Sequence, residues 1–238
     1  MIEGRVNTSK CCIILGAGPS IGLATAKKFA SEGFNIALAS RNINNLNTIA
    51  NNEQLLNVNV KTYEVDASNE SQVINFVSTA ERDLGPIEIG IYNPSKFVKK
   101  SILDLSATEI EEAWKVSCLG GFIFGKEISK KFLLRNKGTI IFTGATAGMR
   151  GSKDFAAFAI GKFGLRALAQ SMARELHPKG IHVLWVNIDG AVNKELNANT
   201  KENFLDPNDI ASCYLQLHYQ PRSAWSHEVE LRPWTENF

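Results

Sequence analysis

The sequence lacks the features that mark a membrane-spanning, secreted or polyanion-binding protein. No apolar run approaches the roughly 20 residues that cross a bilayer, and the N-terminus has no apolar signal-peptide core. The 26 basic and 24 acidic side chains give a formal net charge of only +2. One basic cluster lies at the end of a predicted helix, where a solvated face explains it: Lys126, Lys130, Lys131, Arg135 and Lys137. We therefore expect no nucleic-acid partner and no membrane partner.

Cysteine is also scarce. The four cysteines are Cys11, Cys12, Cys118 and Cys213, and their spacing matches no metal-ligand pattern. This usage predicts no metal site and a reducing, cytoplasmic location. Residues 2–5 read Ile-Glu-Gly-Arg, which is either a native tail or the remainder of a protease-site linker. We therefore leave residues 1–9 out of the predicted fold.

The rest of the chain, residues 10–238, predicts one α/β domain. Hydrophobic residues make up 44% and charged residues 21%, as in ordinary globular proteins. Short β-branched runs alternate with helical patterns, which favours a Rossmann-like, doubly wound parallel sheet of about seven strands with helices on both faces. Trp225 and Trp234 are expected to pack the C-terminal tail. The predicted strands are 10–16, 35–40, 60–65, 87–92, 139–143, 181–186 and 229–231, and the predicted helices are 20–31, 42–59, 70–83, 106–116, 122–135, 155–175 and 207–217.

A glycine-rich turn follows the first predicted strand. It reads Gly-Ala-Gly-Pro-Ser-Ile-Gly over residues 16–22 and leads into an amphipathic helix. Glycines at such a turn let the backbone approach a pyrophosphate, and the free amides of the helix N-terminus stabilise its charge. The setting between a strand and a helix predicts a dinucleotide site. Its candidate residues are Gly16, Gly18, Ser20, Ile21 and Gly22.

The end of the second predicted strand indicates which dinucleotide is bound. A site for NAD places an acidic residue here to bind the ribose 2′-hydroxyl, whereas an arginine accommodates a 2′-phosphate. The chain has Ser40 and Arg41 here and no acid. The sequence therefore predicts NADP(H) in preference to NAD(H). In the alternative interpretation, Arg41 is a solvated loop cation.

Residues 138–168 predict a buried strand, a loop and a long helix that carries Phe158 and Lys162 on one face. This layout resembles the short-chain dehydrogenase/reductase family, which has a serine after this strand and a Tyr-x-x-x-Lys pair on this helix. Here Phe158 stands at the tyrosine position and Ala145 at the serine position, thirteen residues earlier. Ser117 stands where many members have an asparagine. The resemblance implies a degenerate tetrad of Ser117, Ala145, Phe158 and Lys162, in which Lys162 holds the nicotinamide ribose.

The same resemblance implies further cofactor contacts. Asp66 and Ala67 match a position that contacts adenine, although helix capping is an alternative role for Asp66. Asn93 matches a structural asparagine, and Gly190 and Val192 lie in a loop that faces the cofactor. Directly before Gly190, Asp189 adds an ionisable group, either a proton donor or a turn aspartate that bonds its own backbone. Ser152 and Thr146 are further candidate donors, and residues 194–204 replace the family's substrate lid with a short polar segment.

Two functions remain open from the sequence. One is an NADP(H)-dependent oxidoreductase of unknown substrate that uses a non-standard proton donor, or an acceptor such as a preformed iminium ion that needs none. The other is an inactive cofactor-binding pseudoenzyme that acts as a sensor or scaffold. Residues 122–132 and 155–172 are apolar almost all round, and a helix of this kind must be covered on two sides. We therefore expect a homodimer or homotetramer built on these helices.

Overall fold

The structure is a computed structural model that describes residues 10–193 and 203–236. Its strands are β1 (Cys11–Leu15), β2 (Asn35–Ser40), β3 (Val60–Glu64), β4 (Ile87–Tyr92), β5 (Gly138–Thr143), β6 (Ile181–Ile188) and β7 (Glu228–Leu231). Its α-helices are α1 (Ile21–Ser31), α2 (Ile43–Ala50), α3 (Glu70–Leu84), α4 (Ala107–Trp114), α5 (Gly120–Leu133), α6 (Ala156–Leu176) and α7 (Pro207–His218).

All seven strands pair in parallel, in the order β3-β2-β1-β4-β5-β6-β7. One buried cluster packs α3, α5 and α6 on one face of the sheet, and a second packs α1, α2 and α7 on the other. The predicted Rossmann-like architecture is therefore confirmed. The strand order reverses between β1 and β4, and ligands of such sheets bind outside the carboxyl ends of the strands at this point.

Three elements differ from the predicted boundaries. The α2 helix ends at Ala50 and not at the predicted residue 59. Asn51 and Asn52 follow it, and the Asn52 side chain accepts a hydrogen bond from the Gln54 amide, which favours a turn over a continued helix. A π-helical turn, Lys115–Leu119, joins α4 directly to α5, so the two predicted helices are nearly continuous. The β6 strand continues to Ile188 because its last residues pair with β7.

The C-terminal aromatic residues have different environments. Trp225 stacks on His182 with ring centroids 4.5 Å apart, as expected for a residue that packs the tail. Trp234 is 79% exposed, so its predicted packing role is wrong. Most of the basic cluster on α5 and beyond is paired with Glu81, Glu88 and Glu127. Most of the predicted polar segment, residues 194–202, lies outside the described residues.

Candidate active site

Two adjoining cavities open at the carboxyl ends of the strands. The larger has a volume of 540 Å³ and the smaller 270 Å³, and both are lined by Asn93 and Ser95. Asn93 joins the two neighbouring strands here, because its Nδ2 donates to the Gly16 carbonyl at 3.0 Å and its amide donates to Leu15 at 3.0 Å. Together the cavities form a continuous crevice above the point where the strand order reverses.

The three glycines of the glycine-rich turn have different surroundings. Gly16 has φ +83°, and a Cβ there would lie 2.6 Å from the Pro94 nitrogen. A Cβ at Gly22 would lie 2.7 Å from Ala17 Cα, whereas one at Gly18 would meet nothing within 4 Å. Packing therefore explains Gly16 and Gly22, and Gly18 leaves open space beside the first turn of α1.

One buried polar atom at the N-terminus of α1 has no hydrogen-bond partner among the described residues. Ser20 precedes α1, yet its hydroxyl forms no capping hydrogen bond. Its Oγ is buried and has no partner among the described residues. The first amides of a helix also have no intrahelical acceptor. This group of donors fits a phosphate, as the sequence predicts, and Ile21 extends the turn into the lining of the larger cavity.

The smaller cavity is lined by six predicted cofactor residues: Gly16, Ser40, Arg41, Asp66, Ala67 and Asn93. Burial acts to raise the pKa of Asp66, but hydrogen bonds from Ser68 and the charge of Arg41 outweigh it and lower that pKa. The Asp66 Oδ1 accepts from the Ser68 amide at 2.8 Å and from its hydroxyl at 2.7 Å. Asn69 caps α3 by accepting from the Gln72 amide at 3.1 Å, so helix capping by Asp66 is wrong.

The larger cavity brings Ala145, Ser152, Phe158 and Lys162 together. The Lys162 side chain is almost fully buried, with 2% of the residue exposed. Its Nζ donates to the backbone carbonyl of Thr143 at 2.8 Å. Burial lowers the pKa of Lys162 to about 8. A lysine at the base of this cavity is therefore the one strongly basic group among the described lining residues.

Aromatic side chains form one wall of this cavity. The Phe97 ring lies 5.4 Å from the Phe158 ring and 5.6 Å from the Phe155 ring, both in edge contact. Sequence reasoning missed Phe97 and Ser95, because both lie in an irregular segment after β4 that has no periodic pattern. Phe97 is 65% exposed, so its outer edge forms part of the cavity mouth.

Ser117 lies behind the cavity rather than in its lining. It is buried in the π-helical turn, and its Oγ makes a long contact of 3.5 Å with the Lys96 amide. A Cβ at Gly161 would lie 2.8 Å from Ser117 Cβ, so Ser117 packs against α6 beside Lys162. Ser117 thus lies near the other three tetrad positions but does not line the cavity.

Asp189 lies beneath the loops rather than in the cavity lining. One carboxylate oxygen accepts from Thr146 Oγ1 at 2.5 Å and lies 3.7 Å from an Arg150 nitrogen. The other accepts from Arg232. Because both oxygens face donors, the geometry favours a structural tie between three loops over proton donation. Gly190 lines the cavity, while Val192 forms a bridge with Leu205 and is outside the lining of both cavities.

Comparison with known proteins identifies the family. The profile of the family described as short chain dehydrogenase matches residues 10–203. The chain belongs to this family. A short-chain dehydrogenase of Rhodopseudomonas palustris has a crystal structure that is similar with a TM-score of 0.84 and 38% identity, over 94% of this chain and 99% of that one.

Two further relatives cover most of this short-chain dehydrogenase. A short-chain dehydrogenase/reductase of Armillaria gallica is 31% identical over 186 residues, which are 77% of this chain and 71% of the relative. The structure of an alcohol dehydrogenase from Thermococcus sibiricus, complexed with 5-hydroxy-NADP, has a TM-score of 0.84 and 22% identity, covering 96% and 99% of the two chains. At that identity the likeness shows the fold alone.

No helix within residues 10–193 and 203–236 is long and apolar enough to cross a membrane. Within the same residues, His, Cys, Asp and Glu side chains form no group of three or more that could hold a metal ion.

Proposed function

We propose that this short-chain dehydrogenase is an NADP(H)-dependent oxidoreductase with a degenerate tetrad of Ser117, Ala145, Phe158 and Lys162. The observation that carries the proposal is the continuous crevice, which joins the Arg41 end of β2 to Lys162 at the foot of the larger cavity. When bound there, the cofactor would supply or accept the hydride. The protein's own residues bind it, orient it and surround the acceptor.

The cofactor preference rests on the smaller cavity. Arg41 lines it at the carboxyl end of β2, and the only carboxylate in its described lining is Asp66, at the end of β3. An arginine pairs with a 2′-phosphate through several parallel hydrogen bonds. Asp66 already accepts two hydrogen bonds from Ser68 through one oxygen, which leaves the other toward the adenine region. These residues favour NADP(H) over NAD(H).

The turn after β1 and the side chain of Lys162 would hold the rest of the cofactor. Gly18 leaves room beside the α1 N-terminus, and the unpartnered Ser20 hydroxyl adds a donor for the pyrophosphate. Lys162 uses one of its three N–H donors on Thr143, so two remain for the nicotinamide ribose and a reacting group. Gly190 closes the crevice from the β6 side.

The second candidate function is a cofactor-binding scaffold without turnover. Its support is the chemistry of Ala145 and Phe158, which line the cavity but have no hydroxyl to donate a proton. Losing a general acid costs about 10²- to 10⁴-fold in rate. A scaffold would bind NADPH and leave it unreacted.

We further propose a cytoplasmic homo-oligomer. Phe122 on α5 and Ile160 and Phe163 on α6 are 43%, 45% and 43% exposed. Trp114 at the end of α4 is 38% exposed, and α4 and α6 pack together. These large apolar side chains would be covered by a second copy of the chain.

The test is NADPH consumption by the purified protein with a panel of ketones, quinones, enones and cyclic imines. An oxidoreductase consumes NADPH with at least one class and forms an equimolar amount of reduced product. Tight NADPH binding with no consumption by any class would support the scaffold instead. Absence of NADPH and NADH binding would remove both candidate functions.

A further inference from the structure

We propose that the ammonium group of Lys162 is the proton donor of the reaction, and that the acceptor is therefore a carbonyl compound rather than an iminium ion. This inference rests on the proposed oxidoreductase function and deepens it. Residues 145 and 158 have no hydroxyl that could act as the acid. In this proposal Lys162, which already lines the cavity, takes that role.

Geometry singles out Lys162 among the lining residues. Phe158 precedes it by one helical turn on the same face of α6, and an apolar ring there leaves the ammonium without a neighbouring phenol. The Thr143 carbonyl accepts one N–H at 2.8 Å and holds the side chain at the end of β5. The remaining N–H groups can reach an acceptor directly or across one water molecule.

The other polar groups of the cavity are weaker candidates. Thr146 already donates to Asp189 at 2.5 Å. Hydroxyl groups such as Ser95 and Ser152 have no side-chain partner among the described residues that could replace the proton they would give to an acceptor. Asn93 is committed to the Gly16 carbonyl. Lys162 is the lining residue that combines an acidic N–H, a fixed position and a neutral form that burial favours.

Burial supports this role. With 2% of the residue exposed, Lys162 has a pKa of about 8, and the cause is removal of its charge from water. An acid works best when its pKa is close to the working pH, and buried lysines are tuned into this range. The ammonium form predominates below about pH 8, so proton donation should be lost as the pH rises through that value.

Several charged groups on the surrounding elements are held by other partners. Asp189, after β6, is bound to Thr146 and Arg232, and Arg150, after β5, lies 3.7 Å from Asp189. On α6 itself, Arg166 pairs with Glu228 at 2.8 Å. Further pairs beside α6 are Lys96 with Glu112, Lys100 with Glu109 and Lys115 with Glu111. Other titratable groups on the neighbouring elements include Cys118 in the π-helical turn, Tyr214 behind Thr143, Lys153 and Asp154 in the loop before α6, and Lys99, whose Nζ lies 5.7 Å from the Phe155 ring centroid.

The sign of the buried charge decides between the two acceptor classes. An iminium ion is positive, and a second positive charge beside Lys162 would be repelled because the Lys162 side chain is buried, where charges are screened less than in water. A carbonyl oxygen becomes negative as hydride arrives, so the same ammonium stabilises it. No carboxylate lines the larger cavity among the described residues to offset this preference.

The step balances without a further reagent. Bound reduced nicotinamide would supply a hydride from its C4–H bond, which breaks as a C–H bond forms at the carbonyl carbon and the C=O π electrons move to oxygen. That oxygen takes one proton from Lys162 Nζ. The products are the alcohol, the oxidised cofactor and a neutral lysine amine, which regains a proton from water when the alcohol leaves.

The experiment compares Lys162→Arg with the wild type, using the best carbonyl substrate found in the panel. Arginine keeps the positive charge, but its pKa is above 12, so it is a poor acid near neutrality. We expect the variant still to bind NADPH, because arginine keeps a positive charge and N–H donors for the nicotinamide ribose, and its turnover number to be at least about 100-fold lower than that of wild type. Wild-type turnover should be flat below about pH 8 and fall above it, whereas the residual turnover of the variant should not. The matched control is Lys153→Arg, an exposed lysine beside Ser152 that should behave like wild type.

A second readout does not depend on turnover. The ¹³Cε signals of the lysines are titrated in labelled protein saturated with NADP⁺, and one signal should titrate near pH 8 in the wild type and be absent in Lys162→Arg. A lysine titration confined to the ordinary range above pH 10 would overturn the proposal. So would a Lys162→Arg variant that reduces the carbonyl as fast as wild type, and that result would leave the oxidoreductase function intact. Reduction of the cyclic imines alone would overturn only this proposal, and NADPH binding with no member of the panel reduced would overturn both.

Discussion

Lys162 on α6 donates a 2.8 Å hydrogen bond to the backbone carbonyl of Thr143, the last residue of β5. The hydroxyl of the same threonine lies 2.8 Å from the Tyr214 hydroxyl on α7, on the opposite face of the sheet. Both contacts are buried. The ammonium is therefore fixed by elements from both layers, which is the rigidity that a group facing a reacting atom requires.

Arg41→Ala tests the cofactor preference. Hydrogen bonds to charged groups contribute about 1.5 to 3 kcal/mol, so NADPH affinity should fall by about 10- to 100-fold. NADH affinity should change little, because NADH lacks the 2′-phosphate. Arg82→Ala is the matched control, since Arg82 is exposed and lies near the end of α3 away from both cavities. Titration of cofactor fluorescence measures the affinities of all three proteins for both cofactors, and equal losses for NADPH and NADH in Arg41→Ala would remove the Arg41 assignment.

The double variant Phe158→Tyr with Ala145→Ser tests the two positions that lack a hydroxyl. The phenol would lie one turn from Lys162, whose charge lowers a phenol pKa. Ketone reduction should rise, by less than the about 10²- to 10⁴-fold that a general acid contributes where none is present, because in our proposal Lys162 already donates a proton. Neither single change should suffice, because the two groups act on one oxygen. Phe155→Tyr with Ala145→Ser is the control, because Phe155 lines the same cavity outside the helical pairing with Lys162. An equal gain from the control would show that a phenol at position 155 donates the proton as well as one at position 158.

Asp189→Asn tests whether this residue is a structural tie. Removing one partner of a buried ion pair costs about 3 to 5 kcal/mol, so the melting temperature should fall by about 6 to 12 °C or more. Asp104→Asn is the control, since Asp104 is exposed. Calorimetry measures both. A variant that melts like wild type but has lost turnover would instead make Asp189 a participant in the reaction.

The fold could be predicted from the sequence because its signals are local. Each predicted strand overlaps an observed one, since short β-branched runs such as residues 139–143 indicate a strand without tertiary information. Strand ends then converge on one edge of a parallel sheet, which places Arg41 and Lys162 at the same crevice. The C-terminal end of α2 is harder to predict, because asparagine side chains compete for backbone donors in ways that depend on the neighbouring residues.

The remainder of the site depends on contacts between residues far apart in the chain. Arg232 meets Asp189 only because β7 pairs with β6, and no spacing in the sequence predicts that ion pair. Phe97 contacts two rings on α6 from an irregular loop. The burial that shifts the Lys162 pKa likewise comes from packing, since the pattern of residues on α6 shows a lysine but not its surroundings.

Phe163→Glu tests the proposed oligomer interface. A carboxylate on the exposed apolar face of α6 would have to be buried against a second copy, which is unfavourable without a partner. The wild type should be a dimer or tetramer by light scattering and the variant mainly a monomer. Leu134→Glu is the control, because Leu134 is 84% exposed beyond the end of α5. A monomeric wild type at micromolar concentration would contradict the assignment.

Transfer of deuterium from C4-deuterated NADPH tests the central claim most directly. The protein is mixed with the deuterated cofactor and a panel of ketones, enones and cyclic imines, and the masses of the products are measured by mass spectrometry. An NADP(H)-dependent oxidoreductase places one deuterium on a carbon of at least one product when the transferable C4 position carries the label. Bound NADPH that yields no deuterated product from either C4 stereoisomer would contradict that function and leave the scaffold.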